Sequence, residues 1–557
     1  MASYRFHLFV LAIIFAAALS VSSADGIKEE DSDPYKQIPS AAINPQEYDI
    51  GYWQNKALKT LDNKLQKLNE NRAKNVIFFL GDGMSVATIT ASRMYKGQLE
   101  NRTGEEGHLF FEKFPFVGLS KTYCVDRQVP DSACTSTAYM TGVKTNFKGI
   151  GITAKVQQTD CKGAKLEANR PSSIVQWAQE AGKATGVVTN TRITHASPAG
   201  AYAHISHRDF ECDNDIVALK MDKTCTDDIA RQLIEENPGK NIKVLLGGGR
   251  NKFLPKSNPN STHGTGSRIS KDLIAAWKQD KLNRKENAAY VTNIVELDKV
   301  NPENTDYLLG LFNPEHMEYH LDDAKEEPPL WKMTEKAIKI LQKEKNGFFL
   351  FVEGGEIDMA HHEDQAKRAL DETLEFDKAI ETAAKLTDEQ DTLIVVTADH
   401  AHTMTINGYP YRGNNILGLF GNSKDGLPYS TLSYANGLGY RKESFLGGRY
   451  NLDKDDTNNK DYRFPAMVPK KKETHGGEDV AVYARGPWAH LFTGNYEQNY
   501  IPIAEAYAAQ IGPAATTKQD TRQDVKPNAS SSVSISVNIL SLLSCFLITL
   551  MVKFHKF

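Results

Sequence analysis

Phe348-Phe349-Leu350-Phe351-Val352-Glu353-Gly354-Gly355-Glu356-Ile357-Asp358-Met359-Ala360-His361-His362 runs five apolar residues together, turns on two glycines, and ends on a carboxylate and an imidazole four residues apart. An apolar run with no polar alternation suits a strand covered on both faces, as in a parallel sheet. The glycines let the backbone turn sharply where that strand stops. One helical turn beyond them puts Asp358 and His362 on the same face, close enough to share an ion. Glu353, at the strand tip, is placed to serve a second. Alone, such residues after a strand read as a solvated loop; their recurrence along the chain changes the reading.

The same punctuation returns on both sides of this stretch. Val76-Ile77-Phe78-Phe79-Leu80 ends in Gly81-Asp82-Gly83, and Thr392-Leu393-Ile394-Val395-Val396-Thr397 ends in Ala398-Asp399-His400-Ala401-His402. Ala184 to Asn190 reads as a further strand, delivering His195 and Ser197, with Arg208 shortly after. A carboxylate between glycines is ordinarily a turn device, and two histidines within three residues are better explained by a metal. Between such strands, residues 364–386 carry apolar side chains at helical spacing. Strands alternating with helices define an α/β fold: a doubly wound, mostly parallel central sheet flanked by helices. In that fold the strand C-termini share one edge, so Asp82, His195, Glu353, Asp358, Asp399 and His400 are expected to meet there. Three Asp, two His and a Glu exceed the needs of one ion.

Pro130-Asp131-Ser132-Ala133-Cys134 opens a helix near Ser132, whose free amides and dipole favour an anion, although capping alone also accounts for Asp131 and Ser132. Ile242 to Leu246 and Val480 to Ala484 are further strands. Residues 251–299 are polar with little apolar periodicity and are expected to form surface loops and short helices. Residues 408–473, rich in Gly, Asn, Tyr and Lys, look like a small inserted, crown-like domain within a core of 76–407 and 474–512.

The chain has 557 residues and a formal net charge of −4, enough for a large core and too little charge for a polyanion to be the main partner. No nucleic acid is expected as a specific partner. Residues 1–24 hold Arg5, an apolar run too short to span a bilayer, and Ser22-Ser23-Ala24, the pattern of a removed secretory signal. Residues 25–75 read as an N-terminal arm and an amphipathic helix (Leu58, Leu61, Leu65, Leu68). At the other end, 513–532 form a linker whose Asn528-Ala529-Ser530-Ser531-Ser532 precedes the hydrophobic tail 533–557, the order of a glycosylphosphatidylinositol signal. A single membrane span with Lys553 and Lys556 as its stop is the rival reading. The expected place is the extracellular face of the plasma membrane. Without Cys545 of the tail, five cysteines remain, so at least one is unpaired unless it bridges chains. Asn101 and Asn260 sit in sequons and are expected glycan sites.

Six motifs in order resemble the alkaline phosphatase family, most closely its animal, membrane-anchored members, from Asn44 to about Gly512. They are Phe79-Leu80-Gly81-Asp82-Gly83-Met84, Val129-Pro130-Asp131-Ser132-Ala133, Thr194-His195-Ala196-Ser197-Pro198-Ala199-Gly200, Val352-Glu353-Gly354-Gly355, Thr397-Ala398-Asp399-His400 and Thr474-His475-Gly476-Gly477-Glu478-Asp479. The resemblance implies hydrolysis of small phosphate monoesters, with Ser132 as the nucleophile that becomes phosphorylated and Arg208 as the phosphate clamp. It implies two Zn²⁺, one on Asp358, His362 and His475, the other on Asp82, Asp399 and His400 with Ser132 completing the shell. Asp82, Ser197 and Glu353 would hold one Mg²⁺. It also implies a Cys161–Cys225 disulfide and a homodimer crossed by the 44–75 arm and the insert.

Such ions supply what a serine lacks at neutral pH, a lowered hydroxyl pKa and a stabilised leaving group. The chain departs from mammalian relatives at Met359 and Ala360, where they have histidine between the zinc ligands, and at Asn313, where they have a carboxylate of an additional calcium site; that site is not expected here. A related phosphodiesterase would share sheet and metals, whereas the C-x-P-x-R context of sulfatases is absent around Ser132. A non-catalytic anchored surface protein is the reading from another class.

Overall fold

The computed structural model describes Gln46, Asn55 and residues 68–221, 225–256, 266–442 and 448–515. The signal segment, most of the arm, the sequon at Asn260 and the anchor region lie outside the described residues. Ten strands form the main sheet: β1 (Asn75–Gly81), β2 (Phe116–Lys121), β3 (Ala184–Arg192), β4 (Val244–Gly248), β5 (Ala288–Val291), β6 (Tyr307–Leu311), β7 (Phe348–Gly354), β8 (Thr392–Ala398), β9 (Val480–Arg485) and β10 (Gly494–Glu497). Their order is β10-β2-β9-β8-β1-β7-β3-β4-β6-β5. β9 pairs antiparallel with both neighbours, and every other pair is parallel, so nine strands run one way and β9 alone runs back.

The apolar runs explain the centre of this sheet. β1 lies between β7 and β8, and all three are almost wholly buried. Along β1 the side chains alternate between two cores: Val76, Phe78 and Leu80 join one, Ile77 and Phe79 the other. Helices cover both faces, as a doubly wound sheet requires. Among them are α1 (Val86–Leu99), α2 (Ser132–Thr141), α3 (Leu330–Leu341), α4 (Glu356–His362), α5 (Ala366–Leu386) and α6 (Ile501–Ala509). Under β1 and β7, Phe376 of α5 meets Phe79 edge-on with ring centroids 5.8 Å apart.

Strand register sets the height at which the polar residues leave the sheet. Gly81 stands opposite Gly354 and Ala398, and Thr189 opposite Glu353, so Asp82, Glu353 and Asp399 emerge at nearly the same level.

The reading of 251–299 as loops and short helices needs correction. An 11-residue helix, Leu273–Asn283, buries Leu273, Ile274 and Trp277, and Ala288–Val291 is β5, the edge strand of the main sheet. The apolar residues there are few but well placed; pairing with β6 recruits a segment whose own pattern is weak.

After β8 the chain builds a small sheet from Met404–Ile406, Leu432–Gly437 and Ala466–Pro469, and a hairpin from Leu419–Asn422 and Pro428–Ser430. Met404, Ile416, Leu432, Tyr434 and Phe464 form a third core with Ala91 of α1 and Leu370 of α5. Cys124–Cys134 and Cys161–Cys225 are disulfides, and Cys212 is free and buried. Among the described residues no helix is long and apolar enough to cross a membrane.

Candidate active site and metal centre

The residues singled out in the sequence converge on the C-terminal edge of β1, β3, β7 and β8. Asp82 follows β1, Asp399 and His400 follow β8, and Glu353 is the penultimate residue of β7. Asp358 and His362 lie one turn apart on α4, as their spacing requires. His475 follows the last strand of the small sheet in sequence, and its own short strand pairs with Ala401–His402, which sets it opposite His402.

Four atoms of three residues make the first group. His362 Nε2 is 3.5 Å from Asp358 Oδ2, His475 Nε2 is 3.4 Å from Asp358 Oδ1, and the two imidazole nitrogens are 3.2 Å apart. A tetrahedral zinc site with bonds of about 2.0–2.1 Å has ligand atoms about 3.3 Å from one another. The tautomers agree, because His362 Nδ1 donates to the Glu473 carbonyl (2.7 Å) and His475 Nδ1 to the Pro130 carbonyl (2.8 Å), leaving each Nε2 lone pair facing inward.

The second group is centred on His400 Nε2, which lies 3.4 Å from Asp82 Oδ1, 3.2 Å from Asp399 Oδ2 and 3.3 Å from Ser132 Oγ. Asp399 Oδ1 is fixed by the amides of Gly83 (3.0 Å) and His400 (2.8 Å). The His400 and His475 rings stack at 3.6 Å, which brings the two groups side by side. A third group forms on the other side of Asp82: Ser197 Oγ donates to Asp82 Oδ2 (3.0 Å), and Glu353 Oε2 accepts from Thr189 (2.5 Å) and Thr191 (3.1 Å).

Ser132 is the first residue of α2, capped by Asp131, which accepts from the Cys134 amide at 3.3 Å. The other Asp131 oxygen accepts from Arg208 Nη1 at 3.0 Å, and Arg208 Nη2 lies 3.0 Å from His195 Nε2. The guanidinium is therefore held from two sides beside the helix that starts at Ser132.

The electrostatics call for cations. Asp82, Glu353 and Asp399 are wholly buried, and among the described residues none of them, nor Asp358, forms an ion pair with Lys or Arg. Burial, with the Asp399 charge beside it, pushes the Asp82 carboxyl well up, and burial raises Glu353 to about 7 against the hydrogen bonds of Thr189 and Ser197. Burial would raise Asp358 too, but the imidazoles of His362, His402 and His475 hold it well below its ordinary value. Asp82 Oδ1 and Glu353 Oε1 are buried with no hydrogen-bond partner. Buried carboxylates persist when paired or bound to metal, so this donor set fits hard and borderline cations.

The pair of histidines at 400 and 402 points to a metal from the sequence, whereas no pattern there assigns a role to Glu473, yet both His402 and Glu473 lie inside the centre. His402 Nε2 contacts Asp358 Oδ1 at 2.6 Å and its Nδ1 faces Glu473. The Asp-His-Ala-His run and the place of Glu473 two residues before His475 are the available signals. Asn313 donates its amide to Glu327 at 2.7 Å, away from these groups.

Carboxylates and imidazoles gathered at the C-terminal edge of a doubly wound sheet, around a helix-capped serine and a clamped arginine, make this a metal-dependent hydrolase on an α/β scaffold. The profile of the alkaline phosphatase family matches residues 73–511. The tissue-nonspecific alkaline phosphatase of Gallus gallus is 46% identical over 522 residues, covering 91% of this chain and 98% of that protein. The membrane-bound alkaline phosphatase of Bombyx mori is 43% identical over 486 residues, 86% and 88% of the two chains. The alkaline phosphatase of the Antarctic bacterium TAB5 shares the fold, with a TM-score of 0.54 at 23% identity over 80% of this chain and 99% of that one. The chain belongs to the alkaline phosphatase family, and the reaction it catalyses is hydrolysis of phosphate monoesters.

Proposed function

We propose that Ser132 is the nucleophile and Arg208 the phosphate clamp of a centre holding two Zn²⁺ and one Mg²⁺. Asp358, His362 and His475 would bind one zinc ion, and Asp82, Asp399 and His400, with Ser132, the other. Asp82, Ser197 and Glu353 would bind magnesium. The observation that carries this reading is the set of donor-atom separations of 3.2–3.4 Å between the Nε2 atoms of His362 and His475 and around His400 Nε2, close to the edge of a tetrahedral zinc site. When bound, the ions supply a lowered hydroxyl pKa at the serine and charge stabilisation for the leaving oxygen.

The chain's own residues do the rest. Ser132 Oγ bonds to phosphorus as the ester P–O bond on the opposite side breaks, and water later takes the phosphoryl group from the serine. Arg208, oriented by Asp131 and His195, meets two non-bridging oxygens as a fork. The α2 amides add their dipole at the same point. Because no shaped pocket is needed for the alcohol, broad use of phosphate monoesters is expected. Hydrolysis of p-nitrophenyl phosphate that is lost on chelation and restored by zinc with magnesium is the expected result; chelator-resistant hydrolysis by metal-free protein would reject the centre.

We also propose that 408–473 is a crown-like insert in a core of 76–407 and 474–512, that the protein is a homodimer, and that a glycosylphosphatidylinositol anchor holds it on the outer face of the plasma membrane. A membrane-bound relative and the order of small residues and apolar tail at 528–557 support the last. Release from intact cells by a phosphatidylinositol-specific phospholipase is expected, and retention would favour a membrane span.

A further inference from the structure

Glu473 is fully buried, comes from the segment just before His475, and touches the surroundings of the Asp358 group through its amide, its carbonyl and both carboxylate oxygens. Its carbonyl accepts from His362 Nδ1 (2.7 Å), and its amide donates to the His362 carbonyl (2.9 Å), so both ends of one residue lock the backbone and the ring of a candidate ligand. Its carboxylate Oε2 faces His402 Nδ1 at 2.5 Å, and His402 Nε2 in turn lies 2.6 Å from Asp358 Oδ1. Oε1 accepts from the Thr403 amide (2.7 Å) and hydroxyl (2.6 Å), which fixes the carboxylate plane. His475 stands two residues on, held by the short pairing with Ala401–His402.

We propose that Glu473 is the positioning residue of the zinc site formed by Asp358, His362 and His475, acting on Asp358 through His402 and on His362 through its own main chain. This inference rests on the two-zinc reading of the centre. His402 is not itself a ligand in this arrangement, because both of its ring nitrogens are engaged by carboxylates, although it lies close enough to Asp358, His400 and His475 to be grouped with them. The relay works by geometry and charge. A carboxylate on the far side of His402 keeps its Nε2–H aimed at Asp358 Oδ1, which leaves Oδ2 directed at His362 Nε2. Partners of this kind fix the orientation of the ligand, and their loss weakens metal binding rather than the fold as a whole.

The test compares the unaltered protein with Glu473→Gln, which keeps the shape and removes the charge. Both are stripped with a chelator and titrated with zinc in competition with a chromophoric chelator. The expected result is two zinc ions per chain in each, with one of them bound about 10–100-fold more weakly in the variant. At limiting zinc, kcat for p-nitrophenyl phosphate falls in the variant with KM little changed, and excess zinc restores it. Equal affinities in the two proteins, or a loss of kcat that excess zinc does not restore, would overturn the role of Glu473 and leave the two-zinc centre standing. Uptake of fewer than two zinc ions by the unaltered protein would overturn that centre and this inference with it. If Glu473→Gln does not fold, Thr403→Val, which removes one donor to Oε1, is expected to weaken the same site several-fold, and an unchanged affinity there overturns the proposal.

Discussion

A serine hydroxyl is a weak nucleophile near neutral pH, and the role proposed for Ser132 depends on what surrounds it: a helix N-terminus, His400 at 3.3 Å and the carboxylates beyond. Ser132→Ala is expected to lower the turnover of p-nitrophenyl phosphate by about 10⁴-fold or more while leaving zinc uptake at two, and near-normal hydrolysis would reject the assigned nucleophile. Arg208→Lys keeps the charge but loses the fork that Asp131 and His195 aim, so kcat/KM is expected to fall about 100-fold, with a retained rate showing that planar recognition is not needed. Glu211 illustrates a structural charge close by. Burial alone would raise its carboxyl, but the Arg192 guanidinium, bound at 2.7 and 2.8 Å, and Lys252 bring it down to about 2 from an ordinary 4.5. A value lowered by folding stabilises in full above about 4.5 and is lost as pH falls toward about 2. The melting temperature of the unaltered protein should therefore drop more steeply across that window than that of Glu211→Gln, and parallel curves would remove this ion pair from the acid response.

At the scale of elements, the centre depends on turns that follow strands in register. Gly83 leaves β1 with φ of 67°, and a Cβ there would overlap the His402 ring and lie 3.3 Å from Asp358 Cα. Gly83→Ala is expected to cost about 1–2 kcal/mol in backbone strain and to displace His402, which would appear as weaker zinc binding in a competition titration. Unchanged zinc affinity would show that the loop relaxes freely. Phe376 of α5 packs under β1 and β7, 5.8 Å from Phe79 and 6.5 Å from Phe111 by ring centroids. Phe376→Ala opens a cavity beneath Glu353-Gly354 and is expected to lower unfolding stability by about 3–5 kcal/mol in urea, and a loss below about 1 kcal/mol would mean that the core collapses around the deletion.

Across the whole molecule, the carboxylates of the centre, Asp82, Glu353, Asp358 and Asp399, form no ion pair with Lys or Arg among the described residues, so removal of the metals proposed there should affect stability as well as rate. Stripping zinc and magnesium is expected to lower the melting temperature reversibly, since ligands that bind only the folded state stabilise it by mass action; an unchanged melting temperature would show that the carboxylates tolerate burial as neutral acids. The centre is legible in the sequence at the places where chemistry interrupts an apolar run: Asp82, Glu353 and Asp399 each stand at the end of a strand whose pattern is unmistakable, and Asp358 with His362 is a helical spacing. It is not legible at Glu473, whose importance depends on which loop returns to which strand, nor at β5, where Ala288–Val291 is a strand only because β6 offers it an edge, and the spacing that marks His402 for a metal does not say that it faces Asp358 and Glu473. The pairing of Cys124 with Cys134 and the freedom of Cys212 likewise require distances that an odd count of cysteines does not contain. The sequence by itself determined six strands of the sheet, β1, β3, β4, β7, β8 and β9, with the polar edge and the residue types gathered there, because periodicity and strand ends are local properties of the chain. Only the tertiary structure decided which nitrogen faces which oxygen, and at what separation, because those depend on register between strands hundreds of residues apart.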